Sequence, residues 1–157
     1  MVVLTEDMKR VVRDFGPAFV ATVCPDGTPN LSPKGTTSVW DDSHLIFANV
    51  ASPVTMANLE ANPAVDVNVV DPVRRTGYRF KGVATVHSEG APFAEGQAFF
   101  ARERGMDPAR IRGVAIIEVI EARPIVSPAY GQGVTEAEVV DQFIARWEQV
   151  YGWTITR

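Results

Sequence analysis

Apolar and polar positions along the chain alternate with two periods, one helical and one of strands. Between Thr5 and Phe15, the residues Met8, Val11, Val12 and Phe15 recur at helical spacing. Thr5 is placed to cap this first helix, and Gly16-Pro17 to stop it. A run of strand signals follows. Ala18 to Cys24 is short, apolar and rich in strand formers. Pro25-Asp26-Gly27-Thr28 is a turn in which proline presets φ and glycine accepts positive φ. Asn30 to Trp40 reads as the return strand, Asp41-Asp42-Ser43 as another turn, and His44 to Asn49 as a third strand. Hairpins joined this tightly pair antiparallel.

Ser52-Pro53 opens a second helix, with serine as its cap and proline at its first position. The helix carries Met56 and Leu59 and ends before Asn62-Pro63, because the residue preceding proline avoids the helical region. Ala64 to Val70 is a fourth strand, with Val65, Val67 and Val69 on one face and Asp66 and Asn68 on the other. Tyr78 to His87 is a fifth strand. Pro92 starts a third helix with Phe93, Phe99 and Phe100 as core candidates, and Arg112 to Ala122 is a sixth strand. In the last helix Thr135 and Glu138 form a capping box, and Val139, Val140, Phe143, Ile144, Trp147, Val150 and Tyr151 form a broad apolar stripe. Six short strands joined by tight turns, without strict βαβ alternation, predict a closed or nearly closed antiparallel barrel with peripheral helices. A single domain over 1–157 is expected, with the barrel at about 16–125 and the last helix at about 135–151.

Charge narrows the choice of partners. A formal net charge of -4 and a pI near 5.2, without a basic block, argue against nucleic acid. They leave room for one anionic small molecule on a local basic cluster. No stretch is long enough to cross a bilayer, and the acidic N-terminus is unlike a signal peptide. The one cysteine, Cys24, cannot form an internal disulfide, so a cytoplasmic location is the default expectation. Cys24 reads as a small core residue. His44 and His87 are isolated, no metal-ligand set is visible, and no catalytic residue can be named. Neither a dinucleotide fingerprint nor a P-loop is present.

Three blocks in order carry a family resemblance. They are FVATVCPDGTPNLSPKGTT from Phe19 to Thr37, then LIFAN (Leu45 to Asn49) with SPVTMANL (Ser52 to Leu59) and Asn62-Pro63, and finally YRFKGVA from Tyr78 to Ala84. Together they resemble the FMN-binding split barrels related to pyridoxamine 5′-phosphate oxidase. The resemblance implies a mainly β, six-stranded antiparallel split β-barrel with peripheral helices. It also implies a homodimer holding FMN between protomers and acting on a small-molecule substrate or electron donor. Carried over position by position, the flavin phosphate would be met by Ser32, Lys34, Gly35 and Thr36 on the second strand and by Ser52 and Thr55 at the helix start. A helix N-terminus favours an anion there independently of the resemblance, because its first N–H groups are unpaired. Ser32, Lys34 and Thr36 share one face if that strand is regular. Where the oxidases place Ser-Arg-Lys, this chain has Ser52-Pro53-Val54, and the oxidases' strand arginine corresponds to Ser32. Arg79 and Lys81, which share a strand face, are the candidates to compensate.

Three functions are carried forward. The first is an FMN-dependent oxidoreductase of unknown substrate, in which the flavin supplies the electron chemistry and no acid–base dyad is needed. The second is an F420-dependent reductase on the same fold, with Arg74, Arg75, Arg79 and Lys81 as a basic groove for the longer acidic cofactor. The third is a non-catalytic module binding flavin or haem.

Overall fold

The computed structural model describes residues 2–156. Helix α1 (Glu6–Asp14) is capped by Thr5, whose hydroxyl accepts from the Met8 N–H at 3.3 Å. Strands β1 (Ala18–Val23) and β2 (Pro29–Lys34) form the first hairpin. Strands β3 (Ser38–Val39) and β4 (His44–Asn49) form the second. Helix α2 (Pro53–Ala61), β5 (Ala64–Asp71), β6 (Thr76–His87), α3 (Gly90–Arg104) and β7 (Gly113–Val126) follow. A short α4 (Pro128–Gly131) and the long α5 (Glu136–Tyr151) end the chain.

The expectation of six strands is corrected to seven. The stretch from Asn30 to Trp40 is not one return strand but two, because Gly35, Thr36 and Thr37 leave the ladder. The sheet order is β2-β1-β5-β6-β7-β4-β3, all antiparallel, so β2 and β3 lie at opposite edges. Four Cα steps separate Lys34 from Ser38, so the two edges stand at most about 14 Å apart. A seven-stranded sheet can satisfy that only by curling, and this crossover gives the split barrel its shape. It also explains Pro29 and Pro33 within β2, since an edge strand tolerates a missing donor.

The curl encloses a core of Val20, Leu45, Phe47, Val67, Phe80 and Ile117. α1 closes it with Val11 and Val12, and α2 with Met56 and Leu59. The continuous apolar run of β4 is buried on both faces. Leu45 and Phe47 point into the barrel, while Ile46 and Ala48 lie in a second core with Phe100 of α3 and Val114 of β7. β6 bends at a bulge between Lys81 and Gly82. A Cβ on Gly82 would lie 2.6 Å from the Glu118 carbonyl oxygen, so only glycine fits that close approach.

The capping box of α5 is present, with Thr135 and Glu138 bonded reciprocally. Its stripe is partly covered within one chain: Val139 is buried, Val140, Phe143, Ile144 and Trp147 are half-buried, and Val150 and Tyr151 are exposed. The segment from Ser127 to Gly133 is a helical turn. Tyr130 donates to the Arg74 carbonyl at 2.7 Å and ties that turn to the β5–β6 connection.

Candidate functional site

Lys34, the last residue of β2, sits among hydroxyl groups from two elements. Antiparallel pairing sets Ser32 opposite Val20 and Lys34 opposite Ala18, so both side chains share the inward face of the sheet. The Lys34 ammonium donates to Ser32 Oγ, to Ser52 Oγ at 2.8 Å and to Thr55 Oγ1 at 3.3 Å. It lies 5.8 Å from the centre of the Phe47 ring. Lys34 is only 4% exposed, and among the described residues no carboxylate pairs with it. Burial pushes its pKa down from the ordinary lysine value.

The start of α2 faces this cation. Ser52 occupies the cap position, but its hydroxyl is turned to Lys34 and makes no cap hydrogen bond. That corrects the expectation that serine caps the helix. The Ser52 N–H is itself held by Asn49 Oδ1 at 2.9 Å. Pro53 contributes no N–H, so the free donors of the first turn belong to Val54 and Thr55. α2 is anchored from below by Asn58, buried within the helix, which donates to Thr22 Oγ1 of β1 at 3.1 Å. Asn30 of β2 donates to the same hydroxyl at 3.1 Å. Thr22 and Asn58 thereby fix the second half of α2 against β1 and the start of β2. The sequence reading overlooked both, although a buried Asn in a helix opposite a strand Thr is a readable signal.

A hydroxyl that accepts from an ammonium still has its own proton to give. Ser32, Ser52 and Thr55 can therefore relay the Lys34 charge outward as donors. With the α2 N–H groups they make a donor set for an anion.

The remaining candidates do not join it. Thr36 lies beyond the end of β2, so it does not continue the Ser32–Lys34 face. Its hydroxyl accepts from the Ala48 N–H at 3.0 Å and stands in for a missing strand pair. Gly35 is in the crossover, its carbonyl accepting from Arg104 at 2.9 Å. Arg79 and Lys81 are exposed on the opposite, outward face of the sheet, Arg79 beside Asn68 at 3.3 Å. Within one chain they cannot reach Lys34. Arg74 is engaged by Asp71 at 3.2 Å and Glu136 at 3.0 Å, so the four cations from Arg74 to Lys81 do not form one free groove. His44 is bonded through Nδ1 to Asp41 at 2.8 Å.

Comparison with known proteins agrees with this architecture. The family model described as pyridoxamine 5′-phosphate oxidase matches residues 4–123. No curated protein matches the chain. Among solved structures, HupZ from Group A Streptococcus is 33% identical, with 81% of this chain and 96% of that one covered and a TM-score of 0.70. An FMN-binding protein from Syntrophomonas wolfei is 14% identical, with 79% and 87% covered and a TM-score of 0.65. An F420 reductase is 20% identical, with 76% and 98% covered and a TM-score of 0.60. The last two show a shared fold alone. With a curled antiparallel barrel of this topology and a family match over most of its length, the chain belongs to the pyridoxamine 5′-phosphate oxidase family.

Proposed function

We propose that this chain is an FMN-binding oxidoreductase that works as a homodimer, with the flavin phosphate at the Lys34, Ser52 and Thr55 cluster. The observation that carries the reading is a buried lysine whose partners are all hydroxyls. An isolated buried cation is costly, and a bound phosphate would offset that cost. The donor set suits a phosphate: one ammonium, three hydroxyls and the first N–H groups of α2. It has fewer cations than the oxidases' Ser-Arg-Lys turn, so moderate rather than very tight flavin affinity is expected.

When bound, FMN supplies hydride and electron transfer; the protein binds, orients and shields it. Lys34 and the α2 N-terminus would fix the phosphate, and the backbone of the Gly35–Thr37 crossover lies next in sequence along the same wall. FMN is preferred to F420 because Arg74 is already neutralised by Asp71 and Glu136, which weakens the groove that a longer acidic tail needs.

Two uncovered apolar surfaces support the dimer. Phe19 is 45% and Leu31 65% exposed on the outward sheet face, and the α5 stripe is open at its C-terminal end, at Val150 and Tyr151. Arg79 and Lys81 lie on that same outward face, where a second protomer would bring its own groups near them. Sedimentation velocity of apo and FMN-loaded protein tests the pairing. A monomer under both conditions refutes it.

A further inference from the structure

The end of the chain folds back on α5. Gly152 ends the helix in the left-handed region at φ 67°, and the Ile155 N–H returns to Glu148 Oε1 at 2.8 Å. Trp153 stacks on Tyr151, with ring centres 4.5 Å apart and planes 17° apart. Tyr151 stacks in turn on Trp147 at 4.9 Å and 9°, and Trp147 meets Phe143 at 5.4 Å. Phe143, Trp147 and Tyr151 thus form a row along one helix face, spaced four residues apart. This row walls two cavities. One, of about 360 Å³, is completed by Val73, Ile144, Trp153 and Ile155. The other, of about 710 Å³, carries Arg75 and Arg146. Both have the size of small-ligand sites. All of α5 lies beyond the residues 4–123 that the family model matches.

Three observations point to a ligand. Trp147 Nε1 is buried without a hydrogen-bond partner, and such orphaned donors are rare in folded proteins. An acceptor brought into the groove would satisfy it. Neither Arg75 nor Arg146 pairs with a carboxylate among the described residues, whereas Arg74 next door pairs with Asp71 and Glu136. Arg75 also has φ 57°, a left-handed conformation that glycine adopts freely and arginine only at a cost. Its N–H donates to the Asp71 carbonyl at 2.8 Å and its carbonyl accepts from the Ser127 N–H at 3.0 Å, so the turn is held there. An arginine kept at a strained position sets a charge beside the aromatic row.

The form of the ligand follows from the walls. Tyr151 has a ring on each face, so the row offers ring edges rather than an open face for another ring to stack on. Ring edges flanked by Val73, Ile144 and Ile155 suit an alkyl chain. Two unpaired guanidiniums suit a carboxylate. We infer that the groove between α5, its returning tail and the β5–β6 turn binds a medium-chain fatty acid, its carboxylate on Arg75 and Arg146 and its chain in the apolar cavity. Lys34 takes no part, so the inference stands independently of the flavin.

The test is a ¹H–¹⁵N NMR titration of the full chain with sodium decanoate below its micellar concentration. Decanol serves as the uncharged chain and sodium acetate as the anion without one. The three tryptophans supply an internal control. Saturable shifts are expected at the Trp147 and Trp153 indole N–H groups, while that of Trp40, which packs on Phe99 of α3, stays in place. Either comparator should bind more weakly by about tenfold. Arg75→Gly relieves the strained φ, so it should hold or raise the urea midpoint while weakening decanoate by about two- to fivefold. Arg146→Gln, at an exposed position, should weaken decanoate by a similar factor. The inference is overturned by an absence of saturable shifts, by decanol or acetate binding as well as decanoate, or by undiminished affinity in both variants. It is also overturned if the indole signals respond only to phosphatidylglycerol vesicles or only above the micellar concentration, which would make this face a membrane-contact surface.

Discussion

Replacing Lys34 by methionine should separate binding from stability. Methionine fills similar space without charge, so the change removes the ammonium and its bonds to Ser32, Ser52 and Thr55. If the phosphate relies on this cation, flavin affinity should fall by about 1.5–3 kcal/mol, the worth of a charge-assisted hydrogen bond. That is about a 10- to 150-fold rise in Kd. The apo protein should respond differently. Lys34 is 4% exposed and lacks an acidic partner, so losing it relieves desolvation while costing bonds to neutral hydroxyls. Its stability should change by less than about 1 kcal/mol or rise.

The pH dependence follows from the depressed pKa. Between the lowered folded value and the ordinary 10.5, the unfolded chain binds more protons at this site than the folded one. Stability from this group therefore rises with pH across that window, and Lys34→Met should remove this part of the rise. Flavin titration by fluorescence quenching and urea unfolding from pH 7 to 10.5 read both effects. Unchanged FMN affinity with a loss above about 2 kcal/mol of apo stability would make Lys34 a structural residue and refute the reasoning.

Other positions give narrower tests. Ser52→Ala should weaken flavin by about 0.5–1.5 kcal/mol, yet spare α2 the usual cap loss, because the Ser52 hydroxyl does not cap the helix; comparing Kd with the urea midpoint decides. Gly82→Ala should cost about 1–3 kcal/mol in urea unfolding, since its Cβ meets the Glu118 backbone oxygen. The Asp7 carboxyl is held below its ordinary 3.8 by the Tyr78 hydroxyl and then by Arg10. Its contribution is present above pH 3.8 and is lost as pH falls through the depressed value, so Tyr78→Phe should flatten the acid limb of the stability profile. Ending the chain before Thr135 should leave the barrel folded by circular dichroism and weaken dimerisation in sedimentation, if the α5 stripe meets a second copy.

The sequence was most readable where local chemistry acts alone. The Thr135–Glu138 capping box and the Thr5 cap need only neighbouring residues, and both are present. The alternation of Val65, Val67 and Val69 was legible because strand geometry alone assigns their face. The break at Gly35–Thr37 was not. It follows from closure of the sheet, with β2 and β3 recruited to distant edges, and nothing local in Asn30–Trp40 requires it. Ser52 was readable as a helix start, but its hydroxyl is claimed by Lys34, eighteen residues earlier. Lys34 was legible as a candidate phosphate contact, whereas its burial depends on how α2 lies against β2. Arg79 and Lys81 share a strand face as expected. That this face is the one opposite Lys34 depends on register across four strands. Arg104 carried no signal beyond being basic in the last turn of a helix, since its acceptors lie more than sixty residues away.

The most direct measurement is an absorbance spectrum of the purified protein after FMN is added and the excess removed, run in parallel on Lys34→Met. A flavin spectrum retained by the natural chain and lost or sharply reduced in the variant is the predicted result. No retained flavin, or equal retention by both proteins, would contradict a phosphate site built on Lys34.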